Sequence, residues 1–210
     1  GRLTGRNMAS AAISFNNQKK DTIMANQVTC PQLADVLNEN ECLENRAGMA
    51  STVYLGLKSE LAAALTATEN TYSTPAFATG KGLYKVDCKD DANQVQGSSL
   101  GYRKGFELTF NFTIDSVNPA AGKLARAINN RDIFIIVEEK DGTSQIMYDP
   151  KIKVKFDSGG IKTDTGAKSD DERSTTFEAK LSSVNYPNLY VTEPTENGWD
   201  SLLASKTPGK

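Results

Sequence analysis

The chain contains no histidine. That absence removes the Ser-His-Asp and Cys-His nucleophile systems, most zinc sites and the easiest proton shuttle near neutral pH. Carboxylates, lysine and tyrosine remain as chemistry, so the absence lowers the expectation of an enzyme without closing it. Cysteine is scarce: Cys30, Cys42 and Cys88 stand alone, with no C-x-x-C spacing. An odd, sparse count reads as reduced thiols in a cytosolic setting, with a Cys30–Cys42 bridge open but unforced. Apolar residues reach only 38%. Such a deficit points to polar loops, extended arms or a partner that completes the core. No run approaches the ~18 apolar residues of a membrane-spanning helix. The first residues lack the apolar core of about 7–15 residues that marks a secretion signal. No membrane partner is expected. Charge is nearly balanced, 24 basic against 26 acidic residues for a net of −2, so nothing global favours nucleic acid or an anionic surface.

What is present is organised as a tail, a mixed first segment, a β-rich body and a polar end, without an internal repeat. Residues 1–22 are polar and basic, and Met24 opens a stretch that reads like a natural start. Residues 1–23 are therefore expected to be an arm, a leader or a tag. Residues 24–191 are expected to form one β-rich domain, and residues 192–210 a polar C-terminal tail. Within the tail, Trp199 and Leu202-Leu203 are the only sticky points.

The strongest periodic signal is Phe106, Leu108, Phe110, Phe112 and Ile114, alternating with polar neighbours. That pattern predicts a half-buried strand with one apolar and one wet face. A helix follows: Asn118 suits an N-cap, Pro119 the first helical position, and Ala121, Leu124, Ala125 and Ile128 one apolar face. Residues 133–137, Ile-Phe-Ile-Ile-Val, are too apolar for a half-exposed strand and predict a central one. Asp141-Gly142 predicts the turn of a hairpin returning through residues 145–148. Further strands are expected over residues 51–57, 83–88, 151–156, 176–181 and 186–191, with Pro187 suiting an edge. Short helices are expected over residues 30–37 and 59–65, the second capped by Ser59. Residues 66–82 and 87–97 read as loops. Residues 157–175, dense in Gly, Asp, Ser, Thr and Lys, read as a long loop of the kind that is functional or disordered.

Chemistry-bearing motifs are weak. The clusters Asp170-Asp171-Glu172 and Asp87-Lys89-Asp90-Asp91 lack the calcium-loop spacing D-x-[DN]-x-[DN]-G-x₅-E and read better as solvated charge. Gly80-Lys81-Gly82 and Gly159-Gly160 match no phosphate-binding loop. Asn111-Phe112-Thr113 fits a glycosylation sequon but lies mid-strand. Lys151, Lys153 and Lys155 form a stripe that either contacts phosphates or an acidic neighbour, or guards an edge strand against uncontrolled pairing. No catalytic constellation, cofactor or metal site emerges.

The order of elements resembles the tail-tube (major tail) proteins of phages, in particular those of gut Bacteroidetes. The residues that carry the resemblance run from Val53-Tyr54-Leu55 through Gly82-Leu83-Tyr84-Lys85-Val86 to the Phe106–Ile114 strand. They continue through the Pro119–Asn130 helix, the hairpin at residues 132–142, the acidic stretch Asp170-Asp171-Glu172-Arg173 with its following strand, and Tyr186-Pro187-Asn188-Leu189-Tyr190. The resemblance implies a mainly β (α+β) fold, a sandwich or half-barrel of antiparallel strands with one flanking helix. It implies a non-enzymatic virion protein, made in a bacterial host, that forms rings, commonly hexameric, stacked into a tube. The implied partners are copies of itself and other tail proteins, with DNA passing unread through the lumen. Residues 157–175 become the candidate inter-ring arm, and the candidate assembly residues are Lys151, Lys153, Lys155, Asp157, Lys162, Asp164, Asp170, Asp171, Glu172 and Arg173. The alternative is a non-catalytic β-sandwich module that binds carbohydrate or acts as an adhesin.

Overall fold

The computed structural model describes residues 30–36 and 46–204. The chain divides into two compact units, Gly1–Glu39 and Asn40–Lys210. In the first, residues 30–36 form no helix, contrary to expectation, and expose Leu33 and Val36. One or two turns with no packed face do not repay the cost of nucleating a helix. Cys42, the other half of the open disulfide question, lies outside the described residues.

The second unit is mainly β, with one α-helix among the described residues. In chain order the strands are β1 (Met49–Leu57), β2 (Ala67–Thr68), β3 (Thr71–Tyr72), β4 (Tyr84–Asp87), β5 (Gln94–Ser99) and β6 (Phe106–Ile114). Helix α1 (Pro119–Asn130) follows, then β7 (Ile133–Glu139), β8 (Ser144–Met147), β9 (Lys155–Asp164), β10 (Ser174–Val184) and β11 (Tyr190–Val191). They form a seven-stranded sheet, β2-β3-β11-β8-β7-β1-β4, and a four-stranded sheet, β5-β6-β10-β9. All pairings are antiparallel except β11 with β3.

The two sheets pack face to face. Val95 and Phe110 of the smaller sheet meet Ile135, Val137 and Met147 of the larger across the interlayer space. The alternation read in β6 holds: Leu108, Phe110 and Phe112 are buried, while Thr109 and Asn111 stay partly wet. Phe112 stacks on Phe177 of β10 at 4.5 Å between ring centroids. α1 begins as its sequence predicts, with Asn118 Oδ1 accepting from Ala121 N–H at 2.8 Å, and it buries Ala121 and Ile128.

The apolar run of β7 has a direct cause. One face of the larger sheet meets the smaller sheet. Its other face is covered by the chain between β1 and β4 and by the C-terminal segment: Phe77 stacks near Phe134, Tyr148 Oη accepts from Leu65 N–H at 3.1 Å, and Trp199 lies beside Tyr54. With both faces dry, a period of two disappears.

Several local expectations change. Ser59 caps no helix; Lys58–Glu60 is a single 3-10 turn. Lys58 Nζ is held there by Ile152 O at 2.6 Å and by Asp132 at 3.2 Å, and Leu61 then pairs with Phe77. The loop at residues 66–82 contains the β2–β3 hairpin, and residues 94–97 of the second expected loop belong to β5, which runs on to Ser99. Residues 151–154 are not strand: Asp149 Oδ1 accepts the N–H groups of Lys151 and Ile152, each at 2.8 Å, and that turn delays β9 to Lys155. β11 is an interior strand, with Pro187 lying outside it.

Residues 192–204, expected to belong to a polar tail, are part of the fold. Gly198–Leu202 is a 3-10 turn, and Trp199 is only 1% exposed. The indole N–H donates to Ser144 Oγ at 3.0 Å. Asp200 accepts from Tyr54 Oη at 2.9 Å and pairs with Lys85 at 3.3 Å. Leu203 bridges to Leu83 in parallel. One tryptophan in a polar stretch is enough to anchor it, because an aromatic ring of this size removes more apolar surface from water than any other residue there.

Candidate assembly interface

The four-stranded sheet carries the candidate surface. Its rims are β5 and β9, and among the described residues neither pairs with a further strand. β5 is six residues long and exposed at all but Val95, and β9 is ten residues long and exposes Lys155, Asp157, Lys162 and Asp164. A rim of unpaired N–H and C=O groups is a template for another strand. The rims of the larger sheet differ. β2 has two residues, and β4 is closed off at its start, where Leu83 N–H donates to Leu202 O at 2.7 Å and Ala204 N–H to Leu83 O at 2.9 Å.

β9 overturns the expectation of a loop across residues 157–175. Residues 155–164 are strand, residues 174–184 are β10, and only residues 165–173 turn. The register jumps where Phe177 faces Ile161 but Ala179 faces Phe156, so residues 157–160 bulge opposite Glu178. An edge strand with a wet face and a bulge has no apolar alternation to read, which is why its sequence looks like a loop.

The structure sorts the ten candidate residues into two groups. Several are engaged within the subunit. Asp157 accepts from Lys180 Nζ at 2.9 Å, and this bond, with Glu178 alongside, raises the Lys180 pKa above the ordinary lysine range. Asp164 Oδ1 accepts from Gly166 N–H at 2.9 Å. Asp171 Oδ2 accepts from the N–H groups of Ala167 and Lys168, each at 2.8 Å, which holds its carboxyl below the usual range. Glu172 pairs with Lys89 at 2.6 Å, and Arg173 donates to Val117 O at 2.5 Å. The acidic tip is therefore a built turn. By contrast, the side chains of Lys151, Lys153, Lys155, Lys162 and Asp170 are exposed and make no ion pair or hydrogen bond among the described residues.

Lys153 and Lys155 do share a place. With Lys180, Asp157, Glu107 and Ser182 they line an open groove of about 340 Å³ beside the start of β9. Ser182 Oγ donates to Glu107 in that groove. The acidic turn lies at the other end of the sheet, where Ser174 faces Asp164 and Thr175 faces Ile114. Lys153 and Lys155 thus lie toward one end of the sheet and Asp164, Asp170, Asp171 and Glu172 at the other, with Asp157 among the lysines and Lys162 and Arg173 near the acids.

Two features escaped the sequence reading. One is β5, whose single apolar residue, Val95, gives no alternation to detect. The other is the turn at residues 100–105, Leu-Gly-Tyr-Arg-Lys-Gly, where Tyr102 is 90% exposed. Its two glycines around an aromatic and two cations were the available signal. Among the described residues, no cluster of three or more Asp, Glu or Cys side chains is arranged to hold a metal ion, and no helix is long and apolar enough to cross a membrane. Comparison with protein-family models, with curated proteins and with solved structures finds no match to this chain.

Proposed function

We propose that this chain is a non-enzymatic structural subunit that assembles with copies of itself. The smaller sheet joins side by side through its open rims into rings, and the rings stack into a tube of the phage tail-tube kind, a virion component. The observation that carries this reading is the contrast in edges. β5 and β9 are rim strands of six and ten residues, each paired on one side only and mostly exposed, with α1 beside the bulge of β9, whereas the larger sheet ends in strands that are short or covered. A monomer in isolation gains nothing from two long open rims, and β-augmentation by a second copy satisfies their backbone groups.

The wet face of the same sheet suits a lumen. Glu107 and Glu178 alternate there with Thr109, Asn111, Thr176 and Lys180. Carboxylates and lysine in near balance offer no dense cationic track for phosphates, which favours DNA passing without being held.

Negative-stain microscopy and sedimentation velocity of the full chain test the proposal. Rings or tubes are the expected outcome. A strictly monomeric particle at high concentration overturns it.

A further inference from the structure

The two turns of the four-stranded sheet lie at opposite ends and differ in charge. At one end β5 passes into β6 through residues 100–105: Ser99 faces Phe106, and Phe106 faces Val184. At the other end residues 165–173 join β9 to β10. The nine residues of β6 separate the two turns by roughly 27 Å, at about 3.4 Å per residue.

The first turn displays Tyr102, 90% exposed, beside Leu100, 37% exposed. Arg103 and Lys104 follow, and neither forms an ion pair among the described residues. The turn is held in shape: Leu100 N–H donates to Gly105 O at 2.9 Å, and Lys104 N–H donates to Gly101 O at 3.1 Å. Gly101 and Arg103 take φ of 117° and 61°. A turn already fixed loses little freedom on binding. Lys153 and Lys155 lie toward this same end, in the groove beside Ser182 and Ser183 that Lys180, Asp157 and Glu107 also line, with Lys180 paired to Asp157. The second turn, with Asp164 before it, holds Asp164, Asp170, Asp171 and Glu172 against Lys168 and Arg173. Asp170 there is exposed and free of side-chain partners among the described residues.

We infer that copies of this chain meet head to tail, the Tyr102-Arg103-Lys104 turn of one copy seating on the acidic β9–β10 turn of the next. The inference rests on the self-assembly reading and supplies its axial contact. Tyr102 offers rigid amphipathic area at little entropic cost, the property that makes tyrosine an anchor at interfaces. Arg103 and Lys104 bring charge opposite to that of Asp170 and its neighbours. A contact between two different ends of a subunit does not close on itself, so it repeats along an axis.

Stack length in the full chain, measured by negative stain and sedimentation velocity, tests the inference. Arg103→Asp and Asp170→Arg are each expected to raise the concentration needed for stacking roughly tenfold, with single rings retained. Tyr102→Ala is expected to do the same or more. Aspartate tolerates the left-handed backbone of position 103, and an unchanged melting temperature confirms an intact fold. The double variant Arg103→Asp/Asp170→Arg carries one exchanged charge on each face of every contact, and its stacking is expected to return to near the wild-type concentration. Single variants that stack like the wild type overturn the inference, as does a double variant no better than either single one. Duplex DNA captured by the wild type and lost in Arg103→Asp, with stacking unaffected, also overturns it. A wild-type chain that forms no ring at all removes the assembly reading itself, a result separable from the loss of stacking alone.

Discussion

The two sheets of this protein handle water in opposite ways. The seven-stranded sheet is dry on both faces at its centre: Val53, Tyr54 and Leu55 of β1 and residues 133–137 of β7 are all buried. Its rims are short or covered. The four-stranded sheet is dry on one face and wet on the other, and its rims are long and open. The larger sheet is finished within the subunit. The smaller one has backbone groups that only solvent or another chain satisfies. On the self-assembly proposal, stability and association are housed in different layers, so substitutions should separate them.

The largest expected effect falls on the covered face of the larger sheet. Trp199→Ala should cost about 3–5 kcal/mol, as for other large-to-small changes in a core, measured by denaturant unfolding. Tyr102→Ala, also an aromatic deletion, should change stability by less than about 0.5 kcal/mol because its ring is exposed. If the two variants unfold alike, the comparison between a finished and an unfinished layer fails.

Gly97→Ala probes the junction between the layers. Gly97 faces Leu108, and a Cβ there would lie 1.8 Å from Pro187 O. The segment leading to β11 must retreat, at an expected cost of roughly 1–3 kcal/mol by overpacking. Asn118→Ala removes the cap of the helix that links β6 to β7 and should cost about 1 kcal/mol, read by the same unfolding assay.

The double variant Gln96→Lys/Ser98→Lys sharpens the contrast from the other side. Both positions are exposed on β5. Lysines along a rim discourage strand addition, so ring formation should fall sharply in sedimentation while unfolding free energy moves by less than about 0.5 kcal/mol.

The smallest effect concerns Glu138, near the end of β7. Burial, and then Glu193 and Asp200 nearby, raise its pKa above the ordinary glutamate value, while Lys85 opposes the shift. The folded state thus favours the neutral carboxyl. The resulting stabilisation is complete below the unfolded pKa of about 4.3 and is lost as pH rises through the raised folded value. Glu138→Gln keeps a neutral side chain at every pH. It should therefore be more stable than the wild type at pH ~7, by a few tenths of a kcal/mol because the site is partly solvated, and the two should converge at about pH 4. Thermal unfolding at the two pH values decides it; a variant less stable at neutral pH contradicts the assignment.

Legibility followed dryness. β6, α1, β7 and the Asp141-Gly142 hairpin were readable because each buries a regular face, is apolar throughout, or uses a turn with one dominant chemistry. The wet rims were not readable. β5 and most of β9 have no apolar period, and they are strands because β6 and β10 lie beside them with backbone groups to share. The candidate charges were legible as charges. Their pairing was not: nothing local indicates that Glu172 reaches Lys89 or that Asp171 turns back on its own loop.

Local sequence accounts for the β-rich character, the amphipathic helix α1 with its cap, the buried central strand and the absence of histidine chemistry. These follow from side-chain period and composition, which act between residues a few positions apart. Tertiary structure alone decided that Trp199 closes the core, that residues 155–164 are a rim strand, and that a basic aromatic turn and an acidic turn occupy opposite ends of one sheet. Those outcomes depend on which distant segments become neighbours, and burial and hydrogen-bond partners across such distances are set only when the layers pack.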